Sequence, residues 1–119
     1  MNKKLKAVQR GHWAESISCW FLRLKGYRII QRNLRTPMGE IDIIALRCHV
    51  LCFIEVKARR TQRTALDALS RSQQKRIIRT AKSFLSRNQR YGDHHIRFDF
   101  IAIVPRHWPR HIKNAWTDT

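Results

Sequence analysis

The chain has 119 residues, 43% of them apolar, which suits one domain with a real hydrophobic core and is too short for two. Twenty-five Lys and Arg stand against eight Asp and Glu, and the resulting +17 points to a polyanionic partner, nucleic acid ahead of an anionic membrane surface. Charge-free runs such as 16–22 and 100–105 fall far short of the ~20 residues a membrane span needs, so no membrane partner is expected. Residues 1–6 are basic with no apolar signal core behind them. Cys19, Cys48 and Cys52 are odd in number and form no CxxC pair, which suits a reducing cytoplasm.

Taken in order, the chain reads as a single domain over 1–119, with a basic arm at 1–10, a core at 11–104 and a tail at 105–119. Residues 12–25 predict a helix whose apolar stripe is Trp13, Ile17, Trp20, Phe21 and Leu24, capped by Gly26. Glu15 falls roughly opposite that stripe, in the company of Cys19 and Leu22. Residues 27–34 predict a strand, and Pro37 and Gly39 a turn. Two β-rich runs, 40–46 and 51–58, are four residues apart and predict a hairpin. After Arg59, Arg60 and Arg63 comes a helical stretch, 64–89, with Leu66, Leu69, Ile77, Ala81, Phe84 and Leu85 as its stripe and a break near 70–72. Residues 96–104 are apolar on both faces, as in a central strand, and Pro105 stops them. The tail carries Trp108 and Trp116 without a clear period. The order α-β-β-β-α-β describes an α/β domain, a mixed sheet flanked by helices.

In so basic a chain the few acids are informative. A two-residue turn at Cys48-His49 pairs residues whose numbers sum to 97, which sets Asp42 opposite Glu55 and Glu40 opposite Lys57 on one face. Apposed carboxylates repel unless a cation or a shared proton intervenes, and a hard divalent cation, Mg²⁺ first, answers that. Lys57 points to the same side and is placed to serve a water or a phosphate. The competing reading is a solvated salt-bridge face of a half-exposed hairpin. The residues alone leave both open.

The spacing Asp42…Glu55-Val56-Lys57 resembles the signature of the PD-(D/E)xK nuclease superfamily. Longer blocks resemble the YraN-like family of uncharacterised bacterial proteins, itself similar to archaeal Holliday-junction resolvases. These blocks are Gly11-x-x-Ala14-Glu15, Gly26-Tyr27, Arg32-Asn33-x-Arg35, Gly39-Glu40-Ile41-Asp42-Ile43-Ile44-Ala45, Phe53-Ile54-Glu55-Val56-Lys57-Ala58-Arg59 and Arg97-Phe98-Asp99. The resemblance implies a restriction endonuclease-like fold, with Mg²⁺ or Mn²⁺ held by Asp42, Glu55 and the Val56 carbonyl. It also implies Lys57 as catalytic assistant and Glu15 as a further acid of the site. Lys75 matches a polar position of the second helix. The turn at Arg47-Cys48-His49 and the loop at 60–65 depart from the pattern, which bears on substrate choice.

The function expected from all this is metal-dependent endonuclease action on DNA, branched or structured forms included; the alternative is a non-catalytic nucleic-acid-binding protein on the same fold. Arg35, Arg59, Arg60, Arg63, Lys75, Arg76 and Arg79 are the candidate phosphate contacts, with Arg71 beside them. Double-strand cutting of a junction would suit a homodimer. Zinc at Cys48, His49 and Cys52 is not expected, because the spacing supplies no closed set of four ligands. His94-His95 are expected in a loop, and Trp13 and Trp20 in the core.

Overall fold

The computed structural model describes residues 3–118, with side chains from residue 11 onward. Its elements are α1 (Lys3–Leu24), β1 (Arg28–Thr36), β2 (Gly39–Arg47), β3 (Val50–Ala58), α2 (Gln62–Asp67), α3 (Arg71–Arg87), a 3₁₀ turn at Gln89–Tyr91, β4 (His95–Ile103) and β5 (Arg110–Trp116). The five strands lie in the order β1-β2-β3-β4-β5. β1, β2 and β3 form an antiparallel meander, β3 and β4 run parallel, and β5 returns antiparallel along β4. A parallel neighbour cannot be reached by a tight turn, so α2 and α3 make the crossover between β3 and β4. The result is the expected α/β architecture, a mixed sheet between helices, compatible with a restriction endonuclease-like fold.

Strand alternation divides the core in two. Ile44, Phe53, Phe98 and Phe100 face α3 and meet its Ile77, Ala81 and Phe84. Ile43, Ala45, Cys52, Ile54 and Ile101 face α1 and meet Ala14, Cys19 and Leu22. β4 is apolar on both faces and lies inside the sheet, as its sequence predicts.

Helix α1 corrects the sequence reading twice. It starts at Lys3 and so takes in most of the expected arm, and its inward face is the other one. Ala14, Glu15, Ser18, Cys19 and Leu22 are buried, whereas Trp13, Trp20 and Leu24 are 62%, 64% and 66% exposed. Small side chains let the helix axis approach a tightly packed sheet, where two indoles would hold it off. The polar groups on that inner face are satisfied locally, Ser18 by donating to the Ala14 carbonyl at 2.8 Å and Glu15 by Arg32.

The long helical stretch is two helices, each opened by its own capping box, Thr61 with Thr64 and Ser70 with Gln73. Leu66, expected in the stripe, is exposed on short α2. The tail holds an unexpected strand, β5, whose Trp116 stacks on Phe98 at 5.7 Å between ring centroids, while Trp108 stays 82% exposed. β5 hides in the sequence because its register shifts against β4 around Asn114, which sits at φ +55°, so alternation is lost. Asp99 lies behind that bulge, fully buried. It accepts from Arg97 Nε at 2.8 Å and from the Asn114 N–H at 2.9 Å, and pairs with His111 Nε2 at 2.7 Å.

Candidate active site

The hairpin register is the one the two-residue turn dictates: Arg47 pairs with Val50 and the ladder continues to Ile43 opposite Ile54. There it stops. The Asp42 carboxylate takes the place of a backbone partner, its Oδ2 accepting the Val56 N–H at 2.9 Å. In an extended strand a residue's N–H and C=O leave on the same side, so the Val56 carbonyl is also directed toward β2. Glu55 stands beside Asp42, and Lys57 Nζ lies 3.5 Å from Glu55 Oε1. Glu40 pairs across the β1–β2 ladder with Arg35 at 3.8 Å, and the β2–β3 ladder ends before it would reach Lys57, though both line the same cleft.

These groups line a cleft of about 420 Å³ between the hairpin and α3, together with Gly39, Gln73 and Arg76. Two features bring α3 this close. Gly39 sits at φ +153°, and a Cβ there would meet Thr80 Oγ1 at 3.0 Å. Gln73 is set in place by capping, its Oε1 accepting the Ser70 N–H at 3.3 Å.

Electrostatically the cleft is poised around the two carboxylates. Burial pushes Glu55 up to about 8, with the Asp42 charge as the second cause and Lys57 pulling the other way. Burial likewise raises Asp42, against the opposing pull of the Val56 N–H, the Glu55 hydrogen bond and Lys57. Two desolvated acids this close retain a proton or take up a cation. The donors are oxygens only, two carboxylates and a backbone carbonyl, and that set fits a hard divalent ion such as Mg²⁺ or Mn²⁺ better than a thiophilic one.

Glu15 comes to this neighbourhood from α1, on the other side of the sheet. It is buried, 3.2 Å from Arg32 Nε, and its carboxyl is raised by burial first and the Asp42 charge second. Among the described residues, Glu15, Asp42 and Glu55 do not form a trio with all ligand atoms within 4.8 Å. Arg32, bonded also to Ser16 Oγ at 3.0 Å, is the group the sequence reading lacked. Nothing in local periodicity marks it, because its partner is on another element.

The basic residues separate. Arg35, Arg59, Arg60, Arg63, Lys75, Arg76 and Arg79 are all exposed. Arg76 lines the acidic cleft, Arg59 and Arg60 edge a second pocket past the end of β3, and Lys75 and Arg79 lie along the other flank of α3. The cysteines supply no zinc site, as Cys52 is buried on the α1 face and Cys48 exposed in the turn. His49, Asp93 and His94 do bring ligand atoms within 4.8 Å. The two imidazoles are nonetheless stacked, 4.3 Å apart at 15°, so their in-plane lone pairs run parallel instead of converging. His95, expected in a loop with His94, opens β4.

A family model described as "Uncharacterised protein family UPF0102" matches residues 14–103, a span holding Glu15, Asp42, Glu55 and Lys57. The chain belongs to that family. A UPF0102 protein of Parvibaculum lavamentivorans is 46% identical over 112 residues, which cover 94% of this chain and 84% of that protein. Relatives from Mesorhizobium japonicum, at 45% over 111 residues, and Sinorhizobium medicae, at 46% over 116, carry the same family name. They match 93% and 95% of this chain and 89% and 93% of their own lengths. The YraN-like resemblance therefore holds at the level of the family. Among the described residues no helix is long and apolar enough to cross a membrane.

Proposed function

We propose that this UPF0102 chain is a metal-dependent endonuclease of the PD-(D/E)xK type, hydrolysing phosphodiester bonds in DNA. The observation that supports this most directly is the meeting of Asp42, Glu55 and Lys57 in one cleft, at the point where the β2–β3 ladder gives way to a side-chain bond. A salt-bridge face would have set each acid beside a base and left both in water. Here Asp42 and Glu55 share Lys57 as their nearest base, and both carboxylates are shielded from solvent.

In this reading Asp42, Glu55 and the Val56 carbonyl would hold Mg²⁺ or Mn²⁺. When bound, such an ion acidifies a water and offsets charge on the phosphate. Asp42 is oriented by the Val56 N–H, which holds its carboxylate beside Glu55 at the cleft. Lys57 is a donor only, suited to hold the attacking water by its oxygen or to steady a non-bridging phosphate oxygen. Gln73 and Arg76, from the first turns of α3, flank the path a phosphate takes into the cleft. Glu15 with Arg32 shapes the field around Asp42 from behind the sheet. Cutting both strands of a branched junction would further engage two copies related by a two-fold axis.

The test is cleavage of labelled four-way junction, flap, single-stranded and linear duplex DNA, with Mg²⁺ or Mn²⁺ against EDTA. Wild type, Asp42→Ala and Lys57→Ala run side by side. Metal-dependent cutting that both substitutions abolish is the expected result, and the order of substrates ranks the forms recognised. DNA bound alike by all three proteins and cut by none would reduce the function to nucleic-acid binding on a nuclease-like fold.

A further inference from the structure

A second opening begins where the first ends. Lys57 lines the acidic cleft, whereas its neighbours Ala58, Arg59 and Arg60 line a pocket of about 310 Å³ at the carboxyl ends of β3 and β4. Its volume is at the lower bound of small-molecule sites. Trp13, Ile103 and Pro105 contribute apolar wall, and Arg59, Arg60 and Arg106 belong to the same lining. Among the described residues no carboxylate lines this pocket, and none of the three arginines is paired with an acid. Trp13 is 62% exposed although it belongs to an apolar stripe, a costly arrangement for an indole that has nothing to meet.

An apolar wall with an indole and a rim of guanidinium groups without acid partners, of which Arg59 donates to the Ala58 carbonyl at 2.7 Å, has a definite complement: a planar aromatic group carried on an anionic chain. We propose that this pocket receives an unpaired base of the DNA strand, stacked on Trp13, with its flanking phosphates on Arg59, Arg60 and Arg106. The charge of +17 argues against a second copy of the chain as occupant, because each copy would bring its own arginines to the same place. The inference rests on the nuclease reading for one thing only, that the strand in the pocket is the one entering the cleft. Since β3 presents Lys57 to one opening and Ala58 to the other, a strand crossing its end would set a phosphate in the cleft and the neighbouring base in the pocket. A base buried there is not available for pairing, so the substrate would be one with single-stranded character beside the cut.

Binding in EDTA, where no cutting occurs, tests the pocket independently of catalysis. Three labelled ligands of equal length are titrated into full-length protein: a thymidine oligomer, the same oligomer with abasic sites replacing its bases, and a duplex. A uridine oligomer serves as the ribose arm. Trp13→Ala is expected to weaken the thymidine oligomer by about tenfold, within the range measured for one base–aromatic stack, and to leave the abasic strand and the duplex unchanged. Trp13→Phe should restore most of the affinity, and both variants should melt with wild type because the side chain is exposed. Equal losses on all ligands, no loss on any, or a tighter grip on the uridine oligomer than on the thymidine one would overturn the proposal. So would a wild-type dimer in sedimentation that Trp13→Ala dissolves, since the pocket would then be an interface between copies. A protein that discriminates bases in this way but never cuts with Mg²⁺ keeps the pocket and loses the nuclease reading. Cutting of all forms unaffected by Trp13→Ala does the reverse.

Discussion

Asp99 has no surface in water and is held by contacts from β3, β4 and β5, two of them from the Arg97 fork at 2.8 and 2.9 Å. The arrangement also fixes a tautomer: Lys25 Nζ lies 2.7 Å from His111 Nδ1, an ammonium can only donate, and Nε2–H is thereby left to donate to Asp99. Burial pushes the Asp99 carboxyl up, but the bonds from His111, Arg97 and the Asn114 N–H outweigh it and hold it at about 2. A carboxyl depressed on folding contributes stability above its unfolded pKa, near 4, and loses that contribution as the pH falls toward 2. A shift of this size corresponds to roughly 2–3 kcal/mol. Asp99→Asn should therefore cost about that much in urea unfolding at pH 7, and the gap to wild type should narrow steeply between pH 4 and pH 2. A gap of constant size over that interval would mean that shape, not charge, is what Asp99 contributes. None of this network was legible beforehand except as the block Arg97-Phe98-Asp99. Its members come from α1's C-terminal turn, β4 and a strand without alternation. Asp42 and Glu55 were legible because the two-residue turn fixes the hairpin register as far as Ile43–Ile54, one step short of the two acids, although there a side-chain bond replaces the ladder.

The elements differ in how well sequence pattern exposes them, and the reason is what each packs against. α3 shows an ordinary apolar stripe and buries it, because Ile77, Ala81 and Phe84 meet an aromatic sheet face with room for large side chains. α1 carries apolar side chains all round instead of on one stripe: Trp13, Trp20 and Leu24 are exposed, Ile17 is half-buried against the core, and the inner face is made of Ala14, Ser18, Cys19 and Leu22. Apolar residues at helical spacing identify a helix in both cases but identify the core face only in the first. The α3–hairpin contact is closest at Gly39, which explains the glycine opening the Gly39-Glu40-Ile41-Asp42 run. Gly39→Ala places a methyl 3.0 Å from Thr80 Oγ1 at a φ that L residues resist. The substitution should cost about 1–3 kcal/mol in chemical denaturation. Adding Thr80→Ala should recover only part of that, because it removes the clash and leaves the backbone strain. Full recovery would show that the φ of Gly39 carries no cost of its own.

At the scale of the whole molecule, charge and shape have to be considered together. The protein is 44 × 31 × 25 Å along its principal axes, so its longest face spans little more than one turn of duplex, about 34 Å. The arginines and lysines are spread over several surfaces, as the separation of Arg76 from Lys75 and Arg79 on α3 illustrates. One docked duplex therefore meets only a fraction of the 25 cationic side chains. If roughly five to eight phosphates are neutralised, the logarithm of duplex affinity against the logarithm of salt concentration should fall with a slope of about −5 to −7. Arg76, beside the cleft, should account for about one unit of that slope, whereas Arg79, one turn on and lining the adjoining pocket instead of the cleft, should account for less. Titrations of a short duplex from low to moderate salt, with wild type, Arg76→Ala and Arg79→Ala, decide the matter. A slope near −15 would mean that several copies coat one duplex, while a flat line would remove phosphate neutralisation as the basis of binding. Equal changes in the two variants would mean that the duplex does not lie over the acidic cleft, and the link between the basic surface and the Asp42–Glu55 pair would fall with it.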